Sequence, residues 1–283
     1  MITINPFIEM TSFIPPIVMQ IYIVAMFLMV VGGTILDMVH KKSAQYFFAN
    51  SENDKKSATR QVSGGEKVGI AVKTVTSEVL TSAEFQNPKR RISHLFTMYG
   101  FILFVASTAI MIFAYPTAET VTPTVLPIMW HIGAAMLCFG GYWFWFFIRV
   151  DLFAEAKPWY KLARADIFIV TLLTTATFGL IWSTLQANTD TSGVWTFLFF
   201  AFFIVSSTTL FSTVLWSKFA HMFFKPAAAF QKRVTKADGS RENLPELADR
   251  NNPADRDRHS MELLKDAPLD MGLGIKREAP QHY

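Results

Sequence analysis

The chain has 283 residues, 51% of them hydrophobic, and its 27 phenylalanines and seven tryptophans exceed the needs of a soluble core. Mean hydropathy is +0.29, and the charges crowd into a few stretches between long uncharged runs, the pattern of a multi-pass membrane protein. The net charge of +4 sits in loops, where it reports topology and argues for no nucleic-acid partner; the single cysteine, Cys138, excludes a disulfide framework, an iron–sulfur cluster or a thiolate zinc site built within this chain.

Residues 1–40 read as the first transmembrane helix. Its apolar run starts at Pro15-Pro16, where missing amide protons cost little, and ends at Asp37-Met-Val-His40. Residues 41–91 form a basic loop. Within it Val68, Val72, Val75 and Val79 recur at helical spacing, which predicts a surface helix near 66–82; residues 51–65 read as flexible. A four-helix membrane domain over 92–226 follows, with spans at 92–115, 127–150, 167–185 and 194–224. Gly133, Gly140 and Gly141 give the third span small-residue surfaces that a helix or a flat cofactor can approach. Thr171, Thr174, Thr175, Thr177 and Ser183 make the fourth span the most polar, as interhelical hydrogen bonds require. At about 1.5 Å per residue the fifth span overshoots a bilayer, so its last turns should emerge on the charged side. The tail, 227–283, is polar and reads as mostly disordered.

The loops after spans one, three and five are rich in lysine and arginine; those after spans two and four have none. The positive-inside rule then puts the N-terminus outside and the C-terminus in the cytoplasm. The expected fold is all-α, an integral membrane bundle of five transmembrane helices.

The chemistry candidates are histidines near span ends. A b-type haem takes two neutral imidazoles from different helices at one depth. His94 lies three residues inside Arg91, and His221 lies three beyond Lys218 and four before Lys225, so both belong at the cytoplasmic rim. Phe96, Phe101 and Phe219 could pack the faces of one haem, and Arg90, Arg91 or Lys218 could pair with its propionates. His40 could replace either ligand. The alternative is a set of interfacial histidines that bind headgroups or a partner and no metal. His131 has no partner histidine on the outer side, so at most one haem is expected. Trp130-His131 suits a quinone headgroup, with imidazole donating and indole stacking; the alternative is an aromatic-belt tryptophan with a neighbouring histidine. Arg149, Asp151, Arg164 and Lys218 mark inner ends of spans and offer a docking surface, and Asp166 reads as a helix cap. No acidic residue lies in the middle of a span, which argues against a proton-coupled transporter. No catalytic motif is present.

The segments Thr81-Ser-Ala-Glu84-Phe, Arg90-Arg-Ile-Ser-His94-Leu-Phe-Thr-Met-Tyr-Gly100-Phe and Ser217-Lys-Phe-Ala-His221 carry a resemblance. The chain resembles the nitrate-reductase-gamma-like cytochrome b superfamily over about residues 73–232. It is most similar to the membrane anchor associated with dissimilatory adenylylsulfate reductase and to the membrane part of the quinone-interacting oxidoreductases. The resemblance implies a subunit of a prokaryotic cytoplasmic membrane that links the quinone pool to a cytoplasmic flavin/iron–sulfur oxidoreductase of sulfur metabolism. His94 and His221 match the family's cytoplasmic-side haem ligands, whereas the second pair would fall near Phe104 and Phe203. It therefore implies one haem b or a haem-free anchor. A small-solute transporter is the weaker alternative.

Overall fold

The computed structural model describes residues 2–40, 42–85, 87–151, 155–188, 193–217, 219, 221–241 and 253–254. Among them every regular element is helical: α1 (Pro6–Glu9), α2 (Pro16–His40), α3 (Ser43–Lys56), α4 (Gly64–Thr74), α5 (Pro88–Ala114), α6 (Val125–Trp143), α7 (Ile167–Asn188), α8 (Val194–Ser212) and α9 (His221–Asp238). Wider π turns prolong α4 over Val75–Leu80 and α6 over Phe144–Ile148. Five helices are long and apolar enough to cross a membrane: α2, α5, α6 with its π turn, α7 with the turn before it, and α8.

These five close a ring in which α5 packs on α6, α6 on α7, α7 on α8, and α2 on both α8 and α5. The α5–α6 seam is the closest because it is made of glycines. A Cβ on Gly133 would lie 2.7 Å from Phe104 N and 2.9 Å from Gly100 O; one on Gly140 would lie 2.6 Å from Ser93 O. Such backbone-to-backbone approach is what small residues permit in an apolar solvent. Ser93 Oγ donates to Gly140 O at 2.7 Å across the same seam. Gly141 receives Leu173 of α7 instead. The third-span glycines therefore take up neighbouring helices. By contrast α2 leaves Ile17, Ile21, Phe27, Leu28 and Leu36 exposed, as a helix facing lipid requires. It is held by Gln20 Nε2 donating to Ile112 O (3.2 Å) and by Tyr22 Oη beside Thr208 Oγ1 (3.0 Å).

At the end opposite the Lys/Arg-rich loops, residues 5–10 turn inward. Asn5 Oδ1 accepts from Phe7 N and caps α1. Phe7 then packs 6.0 Å from Trp130 and 5.5 Å from Trp182, and Gln186 Nε2 donates to Pro6 O at 2.8 Å.

Three expectations change at the Lys/Arg-rich end. The fifth span stops at Ser212 and does not run to 224. Val214 turns in against Gly33, whose added Cβ would stand 2.9 Å away, and Ser217 Oγ accepts from Phe219 N at 3.2 Å. The apolar residues beyond Ser212 thus cross the end of the bundle and do not lengthen the helix. The tail, read as disordered from 227, is helical to Asp238 within α9; its residues 242–252 and 255–283 lie outside the described residues. Residues 43–56, partly read as flexible, form α3.

α3, α4 and α9 pack together beside the bundle end. Ser63 Oγ caps α4 through Glu66 N (3.2 Å). Arg60 grips Glu66 with both terminal nitrogens (3.1 and 2.6 Å) while its Nε donates to Ala237 O at 2.6 Å. That grip holds the Glu66 carboxyl below its usual range. Arg233 of α9 pairs with Glu78. Gly239 ends α9 at φ +82, where a Cβ would strike Thr59 Oγ1. Gly239→Ala should therefore cost about 1–3 kcal/mol. Hydrogen exchange should report it as faster exchange at the Thr59 and Arg60 amides, which donate to Asp238 O, with the spans unchanged.

Candidate functional site

His94 stands in the second turn of α5, which starts where Asn87 Oδ1 accepts from Lys89 N (3.0 Å) and Pro88 fixes the first position. Its Nδ1 lies 3.0 Å from Ser82 Oγ, and its ring centroid lies 4.9 Å from that of Phe85. Ser82 is fully buried and sits at φ +47, a left-handed backbone that costs a residue other than glycine about 1–3 kcal/mol. Helix α5 itself imposes that turn. Arg91 Nε donates to Thr81 O and Tyr99 Oη to Leu80 O, both at 2.7 Å. Residues 80–85 thereby form a strap over His94. An imidazole whose Nδ1 is fixed by a neighbour presents Nε2 in a set direction, as metal-ligating histidines do.

His221 is the first residue of α9. Its ring centroid lies 5.9 Å from that of Phe168, the second residue of α7. Lys225 Nζ pairs with Glu84 at 3.0 Å and stands 5.2 Å over the Phe85 ring, with Arg90 5.5 Å over the same ring. Lys225, one turn into α9 from His221, thus joins the strap that covers His94, while His221 itself meets Phe168. Phe219, 2% exposed, fills the adjoining bundle end against Phe101, Phe168 and Phe211. Phe96 turns away to Phe139 of α6. His40 is exposed at the end of α2.

His94 and His221 are imidazoles on different helices, one of them held through Nδ1, and are the residues that could hold a b haem; the cations beside them, Lys225 and Arg90, already pair with Glu84 and Glu155. Ser82 and Glu84 escaped the sequence reading of the site, which takes Lys225 only as a flank of His221. Only the strap and the turn into α9 bring them there.

Trp130 and His131 occupy the core near the opposite end. Trp130 Nε1 donates to Thr108 Oγ1 at 2.9 Å. His131 Nδ1 donates to Pro127 O (2.7 Å), which leaves Nε2 to accept from Ser183 Oγ (2.9 Å). Both side chains are buried. Every polar atom the quinone reading needs is spent within the protein.

Arg149, read as a docking residue, is 0% exposed and cannot meet a partner. Its guanidinium is enclosed by Pro158 O (2.7 Å), Lys161 O (2.6 Å) and the Asp166 carboxylate, 4.2 Å over Trp145. Asp166 also accepts from Ala163 N at 2.8 Å; it is therefore not the N-cap the sequence suggests but the third residue of the turn before α7, bonding back to its start. Asp151 and Arg164 are exposed; Lys218 lies outside the described residues. No family model, curated protein or solved structure matches this chain.

Proposed function

We propose that this chain is the membrane-anchor and electron-transfer subunit of a redox complex. It ties a cytoplasmic flavin/iron–sulfur oxidoreductase, an adenylylsulfate reductase of sulfur metabolism, to the quinone pool of a prokaryotic cytoplasmic membrane. The observation that carries this reading is the meeting, at the Lys/Arg-rich end, of the first turns of α9, which begins at His221, with the strap over His94: Lys225 pairs with Glu84 at 3.0 Å and stands 5.2 Å over Phe85. By the positive-inside rule that end faces the cytoplasm, where a soluble redox enzyme would dock. The sequence resemblance supplies the identity of the partner.

His94 and His221 are the residues that would hold one haem b, which when bound supplies a one-electron relay. Ser82 orients the His94 ring through Nδ1. Phe85 and Phe168 pack beside the two rings. Arg90 and Lys225 offset negative charge there. Trp130 and His131 take no part, because their donors are used internally.

A pyridine haemochrome spectrum of the purified full-length protein tests this. The expected result is one b-type haem per chain, lost in His94→Ala and in His221→Ala. Ser82→Ala should keep the haem and change the low-spin electron paramagnetic resonance of the bis-histidine iron, because only the ligand's orientation is released. A haem-free wild type would refute the relay. The second reading, a structural anchor without haem, is favoured by the α3–α4–α9 platform stitched by Arg60, Lys225 and Arg233. It predicts that the flavin/iron–sulfur partner still co-purifies when both histidines are alanine.

A further inference from the structure

The α6–α7 link is bent back onto the end of its own span. Arg149 reaches from the last turn of α6 to Pro158 O and Lys161 O, so residues 157–166 lie flat against the bundle end. The side chains that the link turns outward are not those of a solvated loop. Trp159 is 57% exposed, Tyr160 71% and Leu162 67%. Beside them Lys161 and Arg164 are exposed as well.

These rings continue a stripe that begins within the membrane span. Tyr142 stacks on Phe146 (6.1 Å), Phe146 meets Trp159 (6.4 Å), and Trp159 meets Tyr160 (5.8 Å). Phe146 and its neighbour Phe147 are themselves exposed, 47% and 72%. An exposed aromatic row running from a span onto a tethered link, with cations at its far end, matches the layering of a bilayer: acyl chains, then the amphipathic boundary, then phosphates.

We infer that residues 157–164 form a binding site for anionic phospholipid. Trp159, Tyr160 and Leu162 enter the boundary between headgroups and acyl chains. Lys161 and Arg164 take the headgroup phosphate and its extra negative charge. Charge complementarity selects the lipid, and the Arg149 tether sets the depth. A protein partner is the poorer occupant, because the row is continuous with the exposed Phe146 of the span, 6.4 Å from Trp159. The inference stands apart from the haem and from the redox partner.

Native mass spectrometry of the full-length protein, titrated with phosphatidylglycerol or phosphatidylcholine, tests the selectivity. The wild type should retain phosphatidylglycerol preferentially. The variant with Lys161→Gln and Arg164→Gln should lose that preference by on the order of thirtyfold, since each surface cation contributes roughly fivefold. Both positions are exposed, so the fold is not at stake. Depth is read in vesicles of phosphatidylglycerol with brominated acyl chains, as the wild-type fluorescence minus that of Trp159→Phe. Trp159 should be quenched by bromine and shielded from aqueous iodide. Unchanged phosphatidylglycerol retention in the double variant overturns the inference. So does quenching of Trp159 by iodide alone, or shielding that arises only when a soluble protein is added.

Discussion

Gly133→Leu should separate α5 from α6 and leave little folded protein. The atoms that meet a new Cβ at Gly133 are Phe104 N, Gly100 O and the Leu103 side chain, all within 3.1 Å. Two of the three are backbone and cannot turn aside as a side-chain tip can. Gly100 and Gly140 are in the same position on the same seam, so α6 cannot roll to relieve one contact without driving another together. Overpacking usually costs about 1–3 kcal/mol; a rigid seam without slack should exceed that range. The α5–α6 pair is also the most extensive interface in the ring, and α7 packs on α6 in turn, so its loss should spread. Fluorescence-detected size exclusion in detergent should show aggregation of Gly133→Leu and a lowered melting temperature for the milder Gly133→Ala. Gly69→Ala is the control. Nothing stands within 4 Å of its added Cβ, so it should gain about 0.5–1 kcal/mol from the stiffer chain. Equal effects at Gly133 and Gly69 would show that the seam is not close-packed.

Arg149→Ala should cost about 3–5 kcal/mol, the range for breaking a buried pair from one side. The substitution leaves the Asp166 carboxylate without its counter-charge, strips a donor from Pro158 O and Lys161 O, and uncovers Trp145. A second variant isolates the charge term. Replacing the pair with Arg149→Met and Asp166→Leu removes both ions together and should be less damaging than Arg149→Ala, because no buried charge stays behind. The two link carbonyls still lose their donor, so the double variant should not regain full stability. Trypsin gives the local readout. Release of the link frees its backbone to enter the protease cleft, so cleavage after the exposed Lys161 and Arg164 should accelerate in Arg149→Ala before the spans melt. Tryptic rates equal to wild type would mean that the tether does not hold the link.

The spans are legible because their ends are punctuated. Pro88 and the Asn87 cap open α5, and Pro16 opens α2. The fifth span reads too long for a specific reason. Residues 213–224 still carry Val214, Leu215, Trp216, Phe219, Met222, Phe223 and Phe224, so the apolar run reads on, and the break depends on Val214 meeting Gly33 and on Ser217 catching Phe219 N. The first of those contacts joins distant parts of the chain, which local hydropathy does not register. α3 escapes a sequence reading because Ser-Ala-Gln-Tyr-Phe-Phe-Ala-Asn-Ser-Glu-Asn-Asp-Lys-Lys has no clear apolar stripe; its neighbours α2 and α9 make it worthwhile. Depth counting puts His94 and His221 near one level, and the strap over His94 is linked to the start of α9 through the Lys225–Glu84 pair. Ser82 is not legible, since nothing in its own sequence announces a left-handed turn imposed by Arg91 and Tyr99. Arg149 misleads for the opposite reason. A cation at a span end resembles a solvated one until the carbonyls that enclose it are known.

The wedge formed by residues 5–10 bears on how the chain is made. Phe7 settles against Trp130 and Trp182, and Pro6 O receives its hydrogen bond from Gln186. A ribosome translates the wedge well before any of those three partners leaves the exit tunnel. During synthesis this segment must wait beside the translocon with its aromatic side chain unshielded. Nascent chains stalled ahead of Trp182 should therefore leave a cysteine placed at Phe7 open to maleimide, and chains released past Gln186 should protect it. Early translation and late docking make this segment the latch that completes membrane assembly.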